Sequence, residues 1–292
     1  MEKDERKIAY FSMEIGVDSR IPTYSGGLGI LAGDFLKAAA DQELPLVGVA
    51  LISRDGYFFQ RVENGEQKEL PVSWRVDDFL EPLEESVELA FAGEPIKVSG
   101  WRYEIKGVTG QRVPVIFLDT NAPENSEESC KLTDDLYGGD DLYRLKQEII
   151  LGVGGVRLLE SLGYTSLERY HLNEGHSSFL CLELANRLGG SDEVRTHCNF
   201  TTHTPVPAGH DKFEWGAVQE IIEPKLFEFI PQVLREKEKL NMTELALEMS
   251  GYINGVARKH AQVSRTMFPN YPIHSISNGV CARSWVSKPF QK

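Results

Sequence analysis

A chain of 292 residues with 41% apolar and 26% charged side chains can bury a core of its own, which excludes a disordered tail and any dependence on disulfide or metal staples. Asp and Glu number 44 against 31 Lys and Arg, and the formal charge of −13 is the opposite of the basic footprint that nucleic acid or an anionic membrane surface calls for. No apolar stretch approaches the roughly 20 residues of a membrane helix, MEKDERKIAY has no signal-like apolar region, and cysteines 130, 181, 198 and 281 form no CxxC or zinc-spaced pair, so they read as reduced thiols of a cytoplasmic protein without a metal site.

Residues 7–13 (KIAYFSM) predict a strand, followed by a polar loop to Ser25. GGLGILAGDFLKAAADQEL then opens a helix at its glycines that runs to about Glu43. Residues 45–52 (PLVGVALI) are almost continuously apolar, as in a strand buried on both faces. The character changes over 57–118: Asn64-Gly65 gives a hairpin signal, and VELAF, PIKVSGWRYEIKG and RVPVIFL read as further strands. This predicts a β-rich excursion over about 57–111 that ends in a core strand at 113–118.

From about Asp140 the alternation of strand and helix returns. A helix is predicted over 142–162, carrying Gly152, Gly154 and Gly155, then a strand at 169–172 and a helix at 177–188. A strand at 197–202 follows, with helical stretches at 215–234 and 243–267 and a last strand at 272–277. Such alternation predicts one α/β domain built on a Rossmann-like, doubly wound and mostly parallel sheet.

Ligands of such sheets bind beyond the carboxyl ends of the strands. That rule selects Glu14 after the first strand and His171, Asn173, Glu174 and His176 around the end of the 169–172 strand. It also selects His203 and Thr204, and then Ser277, Asn278 and Gly279. The loop Ser25-Gly26-Gly27-Leu28-Gly29 precedes a helix, where free N–H groups attract anions and missing Cβ atoms allow close approach. It reads as an anion or sugar contact, as a structural turn, or as part of a GxGxxA dinucleotide fingerprint at 27–32. Against the last stand the dozen residues between strand and glycines and the absence of an acid after Ile52.

In HLNEGH (171–176) the two histidines are five apart and do not share a helix face, which disfavours a zinc pair. Glu174 is either the cap of the helix near Ser177 or part of a polar cluster over a substrate. In TTHTPVPAGH (201–210) His203 sits at a strand end before a stiff Pro205-Val206-Pro207 loop. It reads as an active-site group, with a satisfied core histidine as the alternative. No nucleophile elbow, Walker loop, HExxH or glycosidase-like carboxylate pair is present.

Taken together, YFSMEIG (10–16), YSGGLGILAGDFLKAAAD (24–41), PLVGVALISRDGYFFQ (45–60), LYGGDDLYRLKQEIILGVGG (136–155), HLNEGHSSFL (171–180), FTTHTPVPAGHDKF (200–213), VSRTMFP and SNGV resemble the α-glucan phosphorylases. The resemblance keeps motif order, covers nearly the whole chain, and is closest to the short bacterial and archaeal type without a long N-terminal regulatory extension. It implies a GT-B fold, of which this chain is the N-terminal domain. It implies transfer of a terminal glucosyl unit from an α-1,4-glucan to phosphate, giving α-D-glucose 1-phosphate.

The family's cofactor is pyridoxal 5′-phosphate, held by a lysine in a C-terminal domain. No segment here resembles that lysine's motif, so a C-terminal half is expected in trans or as a missing continuation, and the chain alone is expected to be inactive. By the resemblance Gly26, Gly27 and Leu28 lie beside the phosphates and glucose, and Asp140 and Asp141 belong to a mobile acidic gate. Glu174 and His176 form a polar pair at the active site, while His203 and Asn278 contact the sugar 6-hydroxyl. NGVCARSW departs from the family's more usual NGVHVPTW, with Cys281 at the histidine position. The alternatives are a nucleotide-sugar glucosyltransferase of the synthase type and a non-catalytic glucan-binding module. Homo-oligomerisation is compatible with all three.

Overall fold

The computed structural model describes residues 2–70, 72, 74–206 and 209–290. Among them, short apolar runs become strands and the glycine-opened segment becomes a helix. The strands in chain order are β1 (Ile8–Ser12), β2 (Leu46–Leu51), β3 (Phe59–Glu63), β4 (Glu66–Leu70), β5 (Glu81–Phe91), β6 (Glu94–Lys106) and β7 (Arg112–Asp119). They continue as β8 (Arg169–Asn173), β9 (Cys198–Thr202), β10 (Lys212–Glu214), β11 (Lys239–Asn241), β12 (Tyr252–Gly255) and β13 (Ile273–Ser275). Helix α1 spans Gly27–Asp41.

Nine strands form one sheet in the order β13-β12-β9-β8-β1-β2-β7-β6-β5. From β13 to β7 the pairs are parallel, and β6 and β5 extend the sheet antiparallel. Residues 57–111 therefore divide. β3 and β4 form a separate hairpin closed by Asn64 and Gly65, both at positive φ (54° and 83°), while β5 and β6 belong to the main sheet.

The parallel strands are buried on both sides because their side chains alternate between two cores. Ala9, Phe11, Val47, Val49, Ile116 and Leu118 face one core. Tyr10, Leu46, Ala50, Val115 and Phe117 face the other, where Leu36, Ala39 and Ala40 of α1 cover them.

Two expected helical stretches break up. Residues 215–234 hold three short helices, Trp215–Ile221, Pro224–Phe227 and Gln232–Arg235. Pro224 and Pro231 each stand at a helix start, where a missing N–H is tolerated, and each prevents the preceding helix from running on. Residues 243–267 contain helix Met242–Met249, then β12, then helix Arg258–Met267. Gly251 makes the turn into β12, and a Cβ there would stand 2.2 Å from the Arg195 carbonyl oxygen. The predicted helix at 142–162 runs through a π-type segment, Ile150–Gly154, between Asp141–Ile149 and Gly155–Ser161.

The winding direction reverses between β1 and β8. From β1 the sheet grows through β2 to β7, and from β8 through β9 and β12 to β13. That switch point opens a crevice at the carboxyl ends of the strands.

Candidate active site

Glu14, two residues past β1, is buried and ties the glycine loop down. Its carboxylate accepts N–H bonds from Ser25 (2.7 Å) and Gly26 (3.1 Å) and the Tyr137 hydroxyl proton (3.0 Å). With those donors taken, the first turn of α1 is the part of the loop open to a ligand. A Cβ on Gly26 or Gly27 would meet nothing within 4 Å, whereas one on Gly29 would fall 2.7 Å from Glu14 Oε2.

Glu174, just past β8, is also buried and adopts φ 72°, a strained conformation for a side chain of its size. Its Oε1 accepts the backbone N–H groups of His203 (2.5 Å) and Thr204 (2.7 Å), so it clamps the loop leaving β9. Its contact with Gly175 N, at 3.3 Å, is the longer one, so the helix-cap role is secondary. Burial raises the Glu174 carboxyl above its ordinary range, and the two donors pull against that rise.

His203 lines a cleft of about 420 Å³. Its Nε2 lies 2.5 Å from Asn173 Oδ1, and burial, reinforced by His171, His260 and His176, pushes its pKa down to about 3. Asn278, after β13, lines the same cleft, as do Leu31, Asp34 and Phe35 of α1. The floor is His171, whose ring lies tilted beside Tyr10 (5.0 Å) and Phe35 (6.0 Å), themselves stacked at 4.7 Å, and is bonded through Nε2 to Thr201 Oγ1 at 3.0 Å. Thr201 in turn donates to Asn254 Oδ1 on β12 (3.0 Å). Burial pushes His171 down to about 4, so both cleft histidines are neutral at ordinary pH.

The other expected site residues lie elsewhere. Gly26, Gly27 and Leu28 do not line this cleft; Leu31, one turn further along α1, is where the helix meets it. His176 sits in a separate small pocket with Glu174, His210 and Asp211. Its Nε2 is 3.5 Å from Asp211 Oδ2, and burial pushes its pKa down to about 4. Burial opposes ionisation of Asp211, but Glu148, Arg144 and His176 outweigh it and bring Asp211 down to about 2. Asp140 caps helix Asp141–Ile149 by accepting from Tyr143 N (2.9 Å), and it and Asp141 are exposed. Pro207 of the expected stiff loop lies outside the described residues.

The family model described as Carbohydrate phosphorylase matches residues 22–132. A glycogen phosphorylase of Mycobacterium tuberculosis (strain H37Rv) is 37% identical over 329 aligned positions, covering 96% of this chain and 37% of the relative. A maltodextrin phosphorylase of Thermococcus litoralis is 36% identical over 315 positions, covering 99% of this chain and 38% of the relative. The chain belongs to the α-glucan phosphorylase family. It spans little more than a third of the length of these phosphorylase relatives. An uncharacterised protein of Methanocaldococcus jannaschii is 32% identical over 89% of this chain and 49% of its own length.

Sequence reading missed several groups in and around this cleft. Asn254 and Thr201 lie on the cleft floor, and Asn254 was hidden because β12 reads as helix. Tyr137, Arg144 and Asp211 form the polar chain behind the glycine loop, with the Arg144 guanidinium 4.8 Å above the Tyr137 ring. Tyr137 and Arg144 lie within the quoted LYGGDDLYRL motif, so the signal was present, but spacing alone assigned them no task.

Proposed function

We propose that this chain is the glucan-facing, N-terminal GT-B part of an α-1,4-glucan phosphorylase, which transfers a terminal glucosyl unit to phosphate and releases α-D-glucose 1-phosphate. The observation that carries this reading is that His203, after β9, and Asn278, after β13, line one cleft although 75 residues separate them (278 − 203). A sugar needs several directional hydrogen-bonding groups over an apolar floor, and this cleft offers His203, Asn254 and Asn278 beside Tyr10 and Phe35. In this reading the open first turn of α1 approaches phosphate and glucose, and Glu174 holds His203 in place. Asp140 and Asp141 form a gate, and His176 acts in support beside Glu174.

Pyridoxal 5′-phosphate requires a lysine amine for its covalent link and cations round its phosphate. Among the described residues neither lysine nor arginine lines the cleft, so these residues do not fit that group. In the proposed reading its lysine belongs to a segment outside these 292 residues.

The test is to incubate the purified chain with maltoheptaose and phosphate, alone and assembled with the segment that carries the lysine. Glucose 1-phosphate is expected only from the assembly. Product from the chain alone, or a borohydride-reduced adduct of pyridoxal 5′-phosphate with one of its lysines, would show that the catalytic half is misassigned. Glucan extension from a nucleotide sugar would favour the synthase-type alternative, and glucan binding without turnover in the assembly would favour a binding module.

A further inference from the structure

Ser12, Asn173 and His203 form a row of hydrogen bonds that permits one direction of donation. The Glu14 carbonyl oxygen lies 2.7 Å from Ser12 Oγ. A carbonyl carries no proton, so the Ser12 hydroxyl proton points to it. Ser12 Oγ must then accept from Asn173, 2.9 Å away, which turns the Asn173 amide nitrogen toward Ser12 and its Oδ1 toward His203. That oxygen accepts from His203 Nε2 at 2.5 Å. Ser12 and Asn173 are neighbours in the parallel β1–β8 pair and are buried, so solvent has no access to reverse the row.

We propose that Asn173 is a positioning residue that fixes His203 as the Nε2–H tautomer, leaving Nδ1 as an unprotonated acceptor in the cleft for a neutral hydroxyl donor and not for phosphate. Identifying that hydroxyl as a glucan's rests on the function proposed above; the tautomer does not. The ring stays neutral because burial disfavours its charged form, and the acid of the cleft lining, Asp34 of α1, is engaged as the acceptor of Trp285 Nε1. His171 from β8, His176 from the turn after it and His260 from helix Arg258–Met267 all disfavour a second proton, and Glu174 is engaged with backbone N–H groups. A neutral lone pair attracts an O–H and repels an oxyanion.

The experiment is long-range ¹H–¹⁵N NMR of the full chain labelled at its histidine rings, with His203 assigned by comparison with His203→Gln. A protonated Nε2 and bare Nδ1, unchanged from about pH 5 to 8, are expected. Maltoheptaose should shift the Nδ1 signal and inorganic phosphate should not. Asn173→Asp keeps the acceptor and the tautomer but adds a charge, so His203 should begin to titrate in that pH range. Asn173→Leu removes the acceptor and should yield a mixture of tautomers. Ser12→Ala, two links away, should do the same if Asn173→Leu does not fold. A protonated Nδ1, or titration of the wild-type ring near neutral pH, overturns the assignment. An Nε2–H ring that responds to phosphate as it does to maltoheptaose overturns the hydroxyl subsite. An Nε2–H ring that ignores both ligands overturns the glucan reading of this cleft while upholding the role of Asn173.

Discussion

Glu14 and Glu174 are buried carboxylates at the switch point, and each secures two backbone N–H groups of a loop that must stay in one place. Neither is left free for proton transfer by those bonds, and under the proposed function the group that reads the sugar is His203. In the assembled enzyme, a donor glucan whose terminal sugar lacks its 6-hydroxyl should lose about 10–100-fold in kcat/KM, because buried polar groups are left unpaired. His203→Ala should be slower with normal glucan and should narrow that ratio. An unchanged ratio in steady-state kinetics would remove His203 from sugar recognition.

Asp134 gives a residue-scale test of stability. Burial, with the neighbouring Asp55 charge adding and Arg54 opposing, raises its carboxyl from 3.8 to about 6. Between those values the folded chain holds a proton that the unfolded chain has released. The stability from this group is therefore full below about pH 4 and is lost as pH rises to 6. Asp134→Asn should flatten that slope and melt higher than wild type at pH 8, while matching it at pH 4. Parallel Tm-versus-pH curves for the two proteins would contradict the assignment.

At the level of the element, α1 shows why a glycine-rich helix start is not uniformly permissive. A Cβ at Gly33 would stand 2.0 Å from the Gly16 carbonyl oxygen, a backbone atom that cannot step aside. Gly33→Ala should cost about 1–3 kcal/mol or more in urea unfolding. Gly27, with open space around it, should accept alanine with no loss of stability. Gly27→Val should instead obstruct ligand approach at the helix start and reduce turnover of the assembled enzyme more than its stability. Equal losses in both would make the loop a structural turn. The helix through 141–161 uses glycine differently: added Cβ atoms on Gly152 and Gly155 would fall 2.5 Å from Leu180 N and 2.6 Å from Phe11 Cε1. There the missing side chains let the π-type segment press against the start of helix Phe179–Leu188, and Gly155, just after that segment, press against β1.

For the whole molecule, the net charge of −13 and the cleft electrostatics are separate matters. The described cleft lining carries one acidic side chain, Asp34, which accepts from Trp285 Nε1 at 2.6 Å, and its two histidines are neutral above pH 5. Maltoheptaose affinity, measured by calorimetry, should therefore change less than about twofold between roughly 50 and 500 mM salt, because no long-range charge is screened. A steep salt dependence would indicate that cations outside this cleft recognise the ligand. The acidic excess serves the sheet edge instead: β5, the outermost antiparallel strand, exposes Glu81, Glu84 and Glu88, which discourages pairing with another chain. Among the described residues no helix is long and apolar enough to cross a membrane.

Local chemistry was enough for the strands and helices whose pattern is strong. KIAYFSM and PLVGVALI read as buried strands because apolar continuity needs both faces covered, and Asn64-Gly65 reads as a turn because both positions take positive φ. The strand-end rule likewise picked out Glu14, Asn173, Glu174, His203 and Asn278 before any contact was known. β12 was illegible because four residues with a polar Asn254 carry no period, and only pairing between β9 and β13 makes them a strand. The partition of the site was equally beyond the sequence. Whether His203 joins Asn278 or His176 depends on side-chain direction at strand ends, and Asn173 acquires its meaning from a serine 161 residues away in the chain. Sequence fixes which groups reach the edge of the sheet, because that follows from local periodicity. Sheet order decides which of them meet, because it brings together strands that share no local signal.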